Sequence, residues 1–344
     1  MRRETYPRQG GKELSKIKDK DYLALTAMLR AREAKMLDRD RVERMLSAGA
    51  GDAAKLLTDC GYEDMSAMTA SEIDLALGEH KNKIIEELTR MCPEKELTDV
   101  FRIKYDYHNA KALVKAAKLG SDPVHILSNG GRVKAETLKE ALETGSFRDI
   151  PVKLAKAMEE AQLALAKTGN SQAAEFIMDR AYHKELEETA GKQGGQFLKG
   201  YVKLLIDAAN LGSAVRMMRM NKNPEFMMTA LFEGGNVSAA AVCEAAAGGD
   251  ALAELFRATP LAEAAILGAE AIRGGSMTRF ELFCDNAVTS YLGKARFISF
   301  GAEAVVSYLA RLESEITQIR MILTGKLAGI DPAVIRERLR DLYA

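Results

Sequence analysis

The chain has 344 residues, and its 49 Lys plus Arg balance 49 Asp plus Glu, so it lacks the global positive field of a nucleic-acid coat. At 47% hydrophobic and 28% charged it is not a disordered chain, and its length exceeds what one hydrophobic core serves, so two or three domains are expected. Seven Pro, no Trp and abundant Ala, Leu, Met, Glu and Lys favour helix.

In chain order, the basic start MRRETYPRQGGKELSKIKDK is followed by no apolar h-region, which argues against a secretory signal. Residues 1–20 are expected to form a basic, mobile arm. A helix start is read at Ser71, with Glu72 and Asp74 following, and the charges of SEIDLALGEHKNKIIEEL read as a solvated helix face. Ile103, Tyr107, Ala110, Val114 and Ala117 recur at three- and four-residue steps, one face of an amphipathic helix. YVKLLIDAANLGSAVRMM, from Tyr201, is apolar nearly all round and predicts a central, buried helix. Its methionines Met217 and Met218, with Met220 just beyond, read as adaptable core packing. The small residues of 239–249 would let helices approach closely, in the core or at a flat interface. Val305, Leu309, Leu312, Ile316, Ile319 and Leu323 form a third seam, and Asp331 with Pro332 marks a last helix start. Breaks fall at 121–131, 190–196, 221–225 and 328–332, where Gly and Pro cluster. No segment shows the period-two pattern of a strand, so the class is all-α.

A repeat of about one hundred residues runs through these helices. Asp106 and Asn109, followed by Lys111 and Lys115, return 101 residues later as Asp207 and Asn210, followed by Arg216. A softened copy has Glu315 and Gln318 in the two polar places and Arg320 as the base. The second copy has Gly212 where the others carry Lys111 and Arg320. GGRVKAETLKEA from Gly130 aligns without a gap to GGNVSAAAVCEA from Gly234, with six identities of twelve, where ordinary composition gives roughly one. Asp74, Asp179 and Asp285 are spaced by 105 and 106 residues in the same order. Such a period exceeds those of common solenoids, so each unit should be a small helical subdomain. The period divides the chain into subdomains at 21–120, 121–224 and 225–344.

The polar residues have two readings. A buried carboxylate is costly unless paired, so Asp106, Asp207 and Glu315 are expected to meet a base or a neighbouring helix end and fix helix docking. The other reading has them line a shared cavity and contact a partner. His108 is two residues from Asp106 and faces away from it on a helix, so the two cannot share a metal. His80, His125 and His183 have no ligand at i,i+4, and no H-E-x-x-H is present. Cys60, Cys92, Cys243 and Cys284 form no C-x-x-C, which excludes a zinc knuckle and fits reduced thiols. GAGDAAK at 49–55 and TGK at 324–326 lack the phosphate-loop order, so no metal, cofactor or catalytic residue is assigned. No eighteen-residue apolar run is present to span a bilayer.

Three segments in order, LTDVFRIKYDYHNAKALVKAAK at 97–118, LLIDAANLGSAVRMMR at 204–219 and YLARLESEITQIRMILTGKLAGID at 308–331, resemble the C subunit of bacterial and archaeal V/A-type ATPases, whose eukaryotic counterpart is the d subunit. The likeness runs from about Tyr22 to the end of the chain. It implies an all-α funnel of three related subdomains about a pseudo-threefold axis. It also implies a non-catalytic role without a cofactor. The chain would lie peripherally on the cytoplasmic face of the membrane, with the central-stalk subunits D and F on one side and the membrane proteolipid ring on the other. The alternatives are a helical scaffold that offers a groove to a peptide or helix, and an enzyme whose three acids converge.

Overall fold

Helix is the only regular element among the residues that the computed structural model describes, 17–192, 195–246 and 250–341. Residues 1–16 of the expected N-terminal arm, and parts of the 190–196 break and of the 239–249 small-residue run, lie outside these limits. The first group of helices is α1 (Leu23–Glu33), α2 (Arg39–Ser47), α3 (Ala50–Lys55) and α4 (Ala70–Met91). Then come α5 (Asp99–Leu119), α6 (Ala135–Thr144), α7 (Val152–Thr168) and α8 (Ser171–Lys192). The third group is α9 (Gly195–Arg219), α10 (Pro224–Thr229), α11 (Ala239–Ala246), α12 (Asp250–Phe256), α13 (Ala262–Ile272) and α14 (Met277–Gly293). The chain ends with α15 (Ala302–Leu327) and α16 (Pro332–Arg336).

The long helices α5, α9 and α15 carry the three polar motifs, and each runs through a core of its own. Ile103, Tyr107, Ala110 and Val114 of α5 pack with α6, α7 and α8. Leu204, Leu211 and Val215 of α9 pack with α11 to α14. The predicted seam of α15, from Val305 to Leu323, packs with α1 to α4 in the largest core. Leu198, Tyr201 and Ile206 on the other side of α9 join that same core. Service to two cores is why this helix is apolar nearly all round.

Helix ends follow local chemistry. The cap of α4 lies two residues before the expected start: Thr69 accepts from the Glu72 amide, and the Glu72 carboxylate accepts from the Thr69 amide at 2.7 Å. The sequence T-x-x-E is a capping box, and Ser71 lies within the first turn. Asp331 caps α16 as expected, accepting from the Ala333 amide with Pro332 at the first helical position. Gly120, with φ of 64°, ends α5 in the left-handed region that glycine enters without strain. Of the three methionines expected in the core, Met217 and Met218 pack there, whereas Met220 is exposed at the end of α9.

Candidate functional site

The polar pair of each long helix holds a different loop. Asp106 is fully buried; Oδ1 accepts from the Arg132 and Val133 amides at 2.7 and 3.1 Å, and Oδ2 from Arg132 Nε at 2.6 Å. Asn109 binds one peptide unit twice, donating to the Ser128 carbonyl and accepting from its amide, both at 2.8 Å. On α9, Asp207 accepts from the Asn236 and Val237 amides and from the Asn236 side chain, and Asn210 closes the same double bond on Phe232 at 2.7 and 2.8 Å. On α15, Glu315 accepts from the Leu37 amide at 2.8 Å and the Tyr62 hydroxyl at 2.7 Å.

Val133, Val237 and Leu37 each stand two residues before a helix, α6, α11 and α2 respectively. The loop that the third motif holds therefore comes from the N-terminal part of the chain. Gln318 has no such loop to bind. The residue five before Leu37 is Arg32, inside α1, whose carbonyl is already taken by the Lys35 amide at 2.9 Å. Both polar atoms of the Gln318 side chain are buried without a partner among the described residues.

The glycine pairs belong to these fastenings. A Cβ at Gly131 would collide with Asp106 Oδ1, and one at Gly235 with Asp207 Oδ1. The carboxylates approach the backbone so closely that only glycine fits there. Burial pushes the pKa of Asp106, Asp207 and Glu315 up, against the hydrogen bonds that favour the charged form. The three acids face three different loops, and so they do not form one acidic pocket.

In the first and third copies the base five residues after the acid meets the third repeated marker. Lys111 pairs with Asp179 at 2.6 Å and Arg320 with Asp74 at 2.5 Å. One turn further on, Lys115 pairs with Glu175, and Arg216 with Glu281 at 3.6 Å. Gly212 leaves Asp285 without the base its counterparts have, and Arg340 of the C-terminal tail occupies it instead at 2.7 Å.

A cavity of about 1100 Å³ lies among these helices. Lys111 of α5, Ser213 of α9 and Arg320 of α15 all line it, and these residues stand five, six and five places after their motif acids. Ser128 and Phe232, the residues that Asn109 and Asn210 clamp, line it too. The six motif residues themselves are behind the wall. His183 stacks on Phe232 with ring centroids 3.9 Å apart, and burial lowers its pKa.

One cavity residue departs from its expected place. Lys81, read as part of a solvated face, is only 8% exposed because α5 and α15 flank α4 there. Its Nζ bonds the Tyr105 hydroxyl and sits 3.9 Å from that ring's centroid. The spacing carries a signal that charge alone hides, since Lys81 stands four residues after Leu77 and four before Ile85 on the buried face of α4. Among the described residues no three His, Cys, Asp or Glu side chains gather as metal ligands, and no helix is long and apolar enough to cross a membrane. The four cysteines are free, and Cys92, Cys243 and Cys284 are buried.

Comparison with known proteins gives a consistent result. The family model described as ATP synthase (C/AC39) subunit matches residues 25–338. The C subunit of the V-type sodium ATPase of Enterococcus hirae is 22% identical over 328 residues, covering 94% of this chain and 99% of the relative. The C subunit of the A-type ATP synthase of Haloquadratum walsbyi is 24% identical, covering 91% of this chain and 96% of its own. The C subunit of the V-type ATP synthase of Thermus thermophilus is 21% identical, with coverage of 93% and 98%.

Proposed function

The chain belongs to the ATP synthase (C/AC39) subunit family, and on that basis we propose that it is the non-catalytic coupling subunit of a rotary V/A-type ATPase. It joins the central-stalk subunits D and F to the membrane proteolipid ring on the cytoplasmic face and passes rotation between them for ion transport. The observation that carries this reading is the cavity, to which each of the three long helices contributes a residue one to two turns beyond its motif acid, Lys111, Ser213 and Arg320. Three related units about one axis would make a funnel, and the cavity would be its socket for the foot of the stalk.

The units are best drawn around the fastenings. The first comprises α5 to α8 and the second α9 to α14. The third joins α15 to α1–α4 through Glu315 and its bonds to Leu37 and Tyr62. This keeps the three-unit count of the sequence period but places the borders at the starts of the long helices rather than near 120 and 224. It also brings the first and last described helices, α1 and α16, into one unit.

Transmitting torque needs no bond-making. It needs a stiff body that does not slip within a rotational step. Closed cores and buried clamps supply stiffness because each clamp, once broken, leaves polar groups unsatisfied in the interior. The test is to recover the intact complex from membranes through a tag on this chain. Stalk and ring subunits are expected together. A chain that comes out alone, or with an unrelated helical partner, contradicts the reading and favours a generic scaffold.

A further inference from the structure

Of the cations that line the cavity, Lys111 and Arg320 each hold a carboxylate, and Lys104 holds Glu313 at 2.6 Å. Lys81 is more deeply buried than these and forms no ion pair among the described residues. Its hydrogen-bond partner is Tyr105, whose hydroxyl is itself committed to Glu313 at 3.2 Å. Asn82, next to it in the wall, has a buried Oδ1 without a donor among the described residues. The carboxylate nearest in effect, Glu313, is already shared between Lys104 and Tyr105, so the buried ammonium is under-compensated in the free chain, and a carboxylate brought from outside lowers that cost.

We propose that Lys81 is the receptor for an acidic side chain of the protein that enters the cavity, a Glu or Asp on the foot of the central stalk. This rests on the socket reading above and adds the contact that reading lacks. An entering carboxylate would meet Lys81 at the junction of α4, α5 and α15, where Tyr105 already orients the ammonium. The other cations already have a carboxylate, so an entering acid gains less from them.

The chemistry has a proton signature. Burial, followed by the charges of Lys104 and Arg320, pushes the Lys81 pKa down to about 8, with Glu313 opposing. The other titratable groups lining the cavity are Glu72, Asp74 and Glu79 on α4, Tyr105, Tyr107, His108 and Lys111 on α5, His125 between α5 and α6, Glu136 on α6, and Asp179, Tyr182 and His183 on α8. A carboxylate against Lys81 would raise its pKa, so binding above pH 8 draws in a proton and weakens as pH rises.

Calorimetric titration of the full chain with the purified D–F stalk pair, in buffers of different ionisation heat, tests this. Wild type is expected to take up a proton fraction that grows as pH rises above about 8, as more of Lys81 is uncharged before binding. Lys81→Met should remove that uptake and weaken binding by at least about tenfold, while Lys81→Arg stays within a few-fold of wild type. Wild-type binding without proton uptake, or Lys81→Met binding like wild type, overturns the assignment of Lys81 and leaves the socket reading standing. Failure of the wild type to bind the stalk pair overturns both.

Discussion

Glu315, Asp106 and Asp207 hold the same station on three helices but are satisfied by different groups. Asp106 has a guanidinium, whereas Glu315 accepts its hydrogen bonds from an amide and a phenol. Glu315→Gln keeps an acceptor for Leu37 and replaces the bond accepted from Tyr62 by one donated to its phenol oxygen, so it should change stability by no more than about 1 kcal/mol at neutral pH. Glu315→Ala strands both partners and should cost about 2–4 kcal/mol by chemical denaturation. The pH dependence has a definite sign. The folded pKa lies above the ordinary Glu value of 4.5, so the folded state keeps its proton to higher pH than the unfolded one. Stability is therefore lost as pH rises from about 4.5 through the raised value. Gln has no such loss, and its melting temperature relative to wild type should climb across that window; a flat difference would show that Glu315 is not raised. The acids were legible in the sequence because charge bordering an apolar stripe demands a partner. The partners were not legible, since Leu37 is 278 residues from Glu315 and supplies only its backbone.

The helices themselves follow from three-and-four periodicity, and most of their ends from Gly, Pro and capping residues. The glycine pairs mark the repeat in the sequence, and the structure adds a reason for them in close approach. At Gly131 and Gly235 the obstacle to a side chain is the motif carboxylate. Gly131→Ala and Gly235→Ala should each lower stability by about 2–4 kcal/mol, through the clash and the loosened carboxylate. Ala at Gly145, which has open space around it but φ of 69°, should cost only about 1 kcal/mol. Equal losses at all three sites would refute the close-approach explanation. Lys81 marks the limit of reading single elements. The charges of α4 suggest a solvated face, but Lys81 falls in step with Leu77 and Ile85 on its apolar stripe, and the packing of α5 and α15 covers it.

For the molecule as a unit, the period of the sequence announces three related segments, while the closure of the third is invisible to it. The softened Glu315–Gln318 copy, read alone, is a decayed repeat. In the structure it is the joint where the N-terminal helices return to α15, and α1 stands where the other units have a clamped loop, which leaves Gln318 unanswered among the described residues. A single body built this way, with a cavity walled by all three long helices, is suited to hold a shaft. Ser213 is the most direct probe of that claim, because it is the α9 residue in the cavity wall and is not part of any fastening. With cysteine at Ser213 and a short photo-crosslinker attached, the chain assembled in its complex should crosslink to a central-stalk subunit, identified by mass spectrometry. Crosslinks to the membrane ring alone, or none at all in a complex shown to be intact, would contradict a socket that receives the stalk.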